Sequence, residues 1–317
     1  MVHFFTEDDV VDLLPMKDAV ACVDEAFRLL ASGDAMNKPR QRIRVDKLML
    51  HVLPAGSATL GYVGLKAYTT GPSGARFYFL MFDATSGELV SLMEADRLGQ
   101  IRTGAASGVA TRYMAAEAAS RIGIYGTGWQ ARSQLEAIVV VRSIESVAAY
   151  GRNQERREKF CAEMSETLGI PVTPCASPEA VAAEADILIT VTNSREPVLK
   201  GEWLRPGQHI NAAGSNNLRR LEIDADAVTR SSFIATDSLE QAKIECGDLA
   251  AVVESGGITW DDVHELADVV AGNTTGRQSD DDITLFESQG VAIEDVAVAK
   301  HVYETGREQG RGKTLDM

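Results

Sequence analysis

Two periodicities divide this chain. Apolar residues at Ala19, Val23, Ala26, Phe27 and Leu30 recur at helical spacing until Gly33-Asp34 stops the run, so the first 37 residues read as helical. From Pro39 the alternation is that of strands. Arg42-Ile43-Arg44-Val45 is predicted to pair across Asp46-Lys47 with residues 48–53, and further strands are expected at 61–67, 76–83 and 89–94. Thr85-Ser86-Gly87 supplies a tight turn, and an alanine-rich helix runs from 95 to about 118. Residues 1–118 therefore predict an α+β domain on a mostly antiparallel sheet.

Beyond residue 121 short apolar runs alternate with helical stretches. Strands are expected at 121–125, 146–150, 171–174, 186–191, 208–213 and 232–236, the spacing of a doubly wound parallel sheet of Rossmann type. The fold class expected is α/β, with that sheet spanning 119–296. A polar loop at 272–282 and a short apolar piece at 283–286 precede a last helix at about 293–309. This helix returns to the first domain as the segment 297–317, which makes that domain discontinuous. The tail 310–317 is expected to fray.

The run Ile122-Gly123-Ile124-Tyr125-Gly126-Thr127-Gly128 leads from a strand into a helix that carries Trp129, Gln130 and Ala131. A glycine turn before a helix N-terminus suits a pyrophosphate. Gly126 permits the turn, Gly128 lets backbone approach the phosphates, and Ala131 keeps helix and sheet close. Thr190, Val191 and Thr192, at the end of the fourth strand, should line the same cleft. The motif alone is weak, and its βα context carries the dinucleotide reading.

Composition narrows the classes. The chain has 317 residues, room for two domains, and a net charge of −15, which argues against nucleic acid or an anionic membrane as partner. Acids stand in the opening residues where a signal peptide carries bases, and the apolar runs are too short to span a bilayer. Four scattered cysteines and five dispersed histidines lack metal-ligand spacing, so no metal site is expected. Together these features predict a cytoplasmic protein with reduced thiols.

Candidate chemistry rests on a few cations. Lys66 lies in an apolar strand, where an ammonium either reaches solvent at an edge or faces a ligand. Arg102 near the start of the alanine-rich helix suits a bidentate clamp on a carboxylate, or else a structural pair with Asp96 or Glu94. Arg40, Arg42 and Arg44 form a basic cluster, and alternation puts Arg42 and Arg44 on one strand face, as solvent exposure alone would also do.

Four motifs carry a resemblance. They are Gly64-Leu65-Lys66, the run Leu98-Gly99-Gln100-Ile101-Arg102-Thr103-Gly104-Ala105-Ala106, Gly126-Thr127-Gly128, and Ile283-Thr284-Leu285-Phe286-Glu287-Ser288-Gln289-Gly290 followed by Ala292-Ile293-Glu294-Asp295. In order and length they resemble the ornithine cyclodeaminase/mu-crystallin family over about residues 38–300. The resemblance implies a split fold and a homodimer joined through the first domain. It also implies NAD(H) or NADP(H) as cofactor and activities of cyclodeamination, alanine dehydrogenation or imine reduction. It makes Lys66 the group at the reactive carbon and Arg102 the clamp on the α-carboxylate, with Arg42, or less readily Arg40, beside it. Gly290 resembles a backbone contact to the nicotinamide, while Asp295, in a first helical turn, can simply oppose the helix dipole.

Cyclodeaminase-like members carry an aspartate where Asn216 stands, and a neutral amide is a poorer partner for a second ammonium. Asn216 and Ser215, with His51 and Arg42, would instead suit a second carboxylate, as in reduction of iminosuccinate to aspartate. Alternatives are an alanine dehydrogenase, a cyclic ketimine reductase, a cyclodeaminase, or a non-catalytic dinucleotide-binding protein. Arg152 after the second strand, with no acid beside it, favours a 2′-phosphate physically. The iminosuccinate reading leans instead to NAD(H).

Overall fold

The computed structural model describes residues 1–316. The chain divides into two compact units, one of residues 1–102 with the segment from Gly290 onward, the other Thr103–Gln289. Both partition points precede the expected boundaries at 118 and 296. The first falls within the helix Asp96–Met114, because Arg102 bonds Glu294 and Asp295 whereas the Thr103 carbonyl accepts from Gln134.

Among the described residues, the first unit holds an eight-stranded mixed sheet. Its order is Lys313–Leu315, Val2–Phe5, Leu89–Glu94, Gly74–Asp83, Tyr62–Gly71, Leu48–Ser57 and Ala35–Asn37, with Gln41–Val45 also pairing with Leu48–Ser57. The hairpin at Asp46-Lys47 forms in the expected register, Val45 opposite Leu48, and Asp46 takes the positive φ of 51° that so short a turn requires. Helices Met16–Ser32 and Ala292–Glu308 pack on each other, and the second lies on the sheet. From Ala292 to Ala299 that last helix is buried on all sides, so it is a core element rather than an amphipathic cover.

Two expectations about this unit are corrected. The first 37 residues are not uniformly helical, since Val2–Phe5 is a strand parallel to Leu89–Glu94 and Ala35–Asn37 is another beside Leu48–Ser57. Four residues are too few to show a period, but Val2 and Phe5 are buried. The described part of the tail does not fray, because Lys313–Leu315 adds antiparallel to Val2–Phe5 and satisfies that strand's outer edge, and Met317 lies outside the described residues.

The second unit is a parallel sheet ordered Val172–Pro174, Ser146–Tyr150, Arg121–Tyr125, Ile187–Thr190, His209–Ala212, Thr284–Glu287, Phe233–Thr236 and Val263–Glu265. Its central strands are buried on both faces, which is why they read as continuous apolar runs. The order reverses between Arg121–Tyr125 and Ile187–Thr190, the place where such sheets open a crevice at their carboxyl ends. The apolar piece near 283–286 proves to be a central strand. The alanine-rich helix ends at Met114 instead of about 118. The Arg142 guanidinium stops it by donating to the carbonyls of Thr111, Arg112, Ala115 and Ala116.

Candidate active site

In the first unit, the face of the sheet beneath the last helix gathers three buried cations and two buried carboxylates. Lys66 stands opposite Leu53 and Phe79 in the ladder, and its ammonium lies 3.1 Å from Asp295 Oδ1. Arg102 reaches the same oxygen through Nε at 3.2 Å and Glu294 Oε2 through Nη1 at 2.8 Å. Arg40 Nη2 donates to the Gly290 carbonyl at 3.2 Å. All five charged side chains belong to buried residues.

Local structure explains the arrangement. Glu7 caps the helix bearing Arg102 from a distance, its carboxylate accepting from the backbone of Asp96 and Arg97. Gly99 has no side chain where a Cβ would run into the Lys66 ammonium. Gly290, at φ +76°, leaves room for the Arg102 guanidinium. The Arg102 partners are thus Glu294 and Asp295, in place of the Asp96 or Glu94 considered from sequence. Burial, offset by Asp295 but aided by Arg102 and Arg40, lowers the Lys66 ammonium to about 8. A lysine poised there can hold or release a proton near neutrality.

The other candidates of this unit lie on the neighbouring strands. His51 is buried, stacks on Tyr68 at 4.2 Å between ring centroids, and meets Thr70 Oγ1 through Nε2 at 3.1 Å. Its Nδ1 is buried with no hydrogen-bond partner among the described residues. Burial, then Arg42 and Arg40, hold this imidazole down near about 4, so it is neutral at pH 7. Arg42 pairs with His51 across the hairpin and is half-buried. Arg44 is exposed and turned back on the Asp46 carbonyl. The buried arginine of the three is Arg40. It stands just before the strand, where alternation says nothing about direction.

In the second unit, Gly126 sits at φ +108° with its Cα hydrogen side against the Val191 carbonyl, so a Cβ there is excluded twice over. Gly128 is the N-cap of helix Trp129–Val141 and brings no capping side chain, and a Cβ built on it would meet nothing within 4 Å. That open approach to a helix N-terminus fits a pyrophosphate. Thr127 lies against Gly151, Trp129 is exposed, Gln130 is half-buried, and Arg152 is exposed in the turn after the second strand.

A carboxylate that sequence reading passed over organises the carboxyl ends of the strands. Glu222 accepts hydrogen bonds from Thr190 Oγ1, from the backbone and hydroxyl of Thr192, and from the Gly214 amide. It thereby ties the loop after Ile187–Thr190, with Val191 in it, to the loop after His209–Ala212. Burial is the main cause of its rise to about 7, with Asp248 adding to it and the donors from Thr192 and Gly214 opposing it. Ser215 is buried in the second loop, with its hydroxyl directed to the Asn217 carbonyl, and Asn216 is exposed. Among the described residues no group of His, Cys, Asp and Glu has the arrangement of a metal site, and no helix is long and apolar enough to cross a membrane.

Comparison with known proteins bears on this arrangement. Residues 2–310 match the profile of the Ornithine cyclodeaminase/mu-crystallin family. A Δ1-pyrroline-2-carboxylate reductase from Thermococcus litoralis, solved with NADH and L-proline, shares 35% identity. It superposes with a TM-score of 0.95 over 99% of this chain and 100% of its own. An archaeal alanine dehydrogenase, solved as a dimer with bound NAD, gives 36%, 0.93, 100% and 99% on the same measures. The iminosuccinate reductase of Paracoccus denitrificans, solved with NAD+, gives 27%, 0.94, 100% and 99%.

Proposed function

The chain belongs to the ornithine cyclodeaminase/mu-crystallin family, and on that footing we propose that it is an NAD(P)-dependent oxidoreductase of small imino and amino acids. The observation that carries this reading is the buried group in which Lys66 and Arg102 meet Glu294 and Asp295, with buried Arg40 on the Gly290 carbonyl close enough to act on Lys66. Cationic donors gathered in one buried place suit a substrate carboxylate. Arg102 and Arg40 hold that carboxylate, and Lys66 holds the proton that the imine nitrogen needs to become a better electrophile. The nicotinamide, when bound by the second unit, supplies the hydride for reduction and takes it back in amino-acid oxidation. Gly126, Thr127 and Gly128, with the first turn at Trp129 and Gln130, hold its pyrophosphate. Glu222 positions Thr190, Val191 and Thr192. The relatives solved with NADH, NAD and NAD+ support this assignment of the cofactor.

For the substrate we take iminosuccinate, reduced to aspartate, as the first reading. Its second carboxylate would need further donors, and Arg42 and the His51 Nδ1, which has no partner among the described residues, are the candidates in the first unit. A second reading is a monocarboxylic imino acid such as that of alanine or a cyclic ketimine, supported by the likeness to the alanine dehydrogenase and the Δ1-pyrroline-2-carboxylate reductase. NAD(H) is the cofactor of the first reading, with exposed Arg152 the residue that would admit a 2′-phosphate. A homodimer is proposed because Ile43, Val45, Leu48, Val63 and Tyr78 are exposed on the sheet face opposite Lys66.

The deciding experiment supplies NADH or NADPH with oxaloacetate, pyruvate, glyoxylate or a cyclic ketimine, with and without ammonia or methylamine, and follows absorbance at 340 nm. Oxidation with oxaloacetate plus ammonia and formation of aspartate supports iminosuccinate. Preference for the pyruvate or ketimine arm supports the second reading. Ammonia release from ornithine without net cofactor turnover would assign a cyclodeaminase instead.

A further inference from the structure

We infer that Asp295 is a positioning residue that holds Lys66 at the reacting centre and keeps it protonated. The inference rests on the functional reading above and adds a residue whose place in a first helical turn suggested only a dipole contact. One oxygen of Asp295 serves both Lys66 Nζ and Arg102 Nε, at 3.1 and 3.2 Å, so the two cations are fixed relative to each other through a single atom. The Asp295 side chain is fully enclosed, and its Oδ2 accepts no hydrogen bond among the described residues. Its negative charge is therefore screened little by water and acts mainly on these two neighbours.

The charges around Lys66 come from every element that packs there. The last helix contributes Asp295 and Glu294, the helix Asp96–Met114 contributes Arg102, and the segment before Gln41–Val45 contributes Arg40. The neighbouring strands carry His51 and Tyr68, and His51 is neutral at the pH of interest. Burial, Arg102 and Arg40 all favour loss of the Lys66 proton, and Asp295 is the carboxylate in direct contact that favours keeping it. Glu294 is bonded to Arg102 and offsets that guanidinium first. In imine reduction Lys66 gives its proton to the imine nitrogen as the carbon takes up the hydride that reduced nicotinamide would supply on becoming oxidised, and the neutral lysine regains a proton from solvent. Asp295 makes the last step favourable near neutrality.

The test is the pH dependence of kcat/KM for imino-acid reduction in the full-length enzyme. The wild type should lose activity as pH rises through about 8, where Lys66 deprotonates. Asp295→Asn should move that limb down by about 1–3 pH units, the range that one adjacent opposite charge controls. Asp295→Glu, which keeps the charge, should restore most of the midpoint. An unmoved limb in Asp295→Asn with merely lower activity would overturn the inference. If Asp295→Asn does not fold, Asp295→Ser, which also removes the charge, decides. A limb moved down in that variant supports the inference, and a limb at the wild-type midpoint overturns it. A wild type inactive with every imino acid would instead overturn the functional reading.

Discussion

At the scale of single residues, the protein stores chemistry in buried charges whose neighbours are unequal. Lys66 is buried with a carboxylate in contact, whereas Glu222 is buried with backbone amides and hydroxyls as donors and Asp248 nearby. Glu222 therefore keeps its proton to a higher pH in the folded chain than in the unfolded one. A carboxyl raised in this way contributes stability that is fully present below its ordinary value and is lost as pH rises through about 7. Glu222→Gln removes that titration. Melting temperatures of variant and wild type, compared from pH 5 to 8, should change in the variant's favour as pH rises. Parallel curves would show that Glu222 does not titrate there. At the same time the variant puts an amide group where Thr192 and Gly214 donate, so its affinity for NAD(P)H should fall.

At the scale of elements, apolar periodicity was a sound guide wherever an element was long enough to repeat. Six of the parallel strands were legible as short apolar runs set between helical stretches, and the hairpin by its alternation, whereas Thr284–Glu287 read only as an apolar piece and Val263–Glu265 was not expected. The strand Val2–Phe5 and the edge strand Lys313–Leu315 were not legible, since each is short and exists through its partner. The end of the alanine-rich helix was misplaced for a related reason. Alanine propensity favours continuation, and the group that stops it, Arg142, lies far along the chain. Arg142→Ala should lower stability by about 1.5–3 kcal/mol, the worth of hydrogen bonds from a charged donor, read as a lower denaturation midpoint with unchanged slope. An unchanged midpoint would mean that water replaces the guanidinium without loss. The candidate site was legible in Lys66, Arg102 and the glycine turn. The resemblance put Arg42 ahead of Arg40, and alternation, which orients residues only inside a strand, says nothing of Arg40. Glu294 and Asp295 carried a usable signal, two adjacent acids within the otherwise apolar first half of that helix, Ala292 to Ala299, which implies buried cations opposite them.

At the scale of the whole molecule, one chain carries two candidate sites of different kind on two sheets. The parallel sheet presents glycine and threonine loops at its carboxyl ends, and the mixed sheet presents charge beneath a buried helix. The mixed sheet's other face carries exposed Ile43, Val45, Leu48, Val63 and Tyr78, apolar side chains that a second copy would cover. Val63→Glu should convert a dimer into monomers by sedimentation velocity, and a monomeric wild type would remove the premise. The central claim, that Lys66 carries the proton in an imino-acid reductase, is tested most directly by kcat/KM in Lys66→Met. Methionine keeps most of the apolar stem while removing charge and proton, so folding and NAD(P)H affinity should survive. The account predicts a fall of at least about 100-fold in reduction, within the contribution of a positioned acid–base group. Reduction at the wild-type rate in Lys66→Met would contradict it.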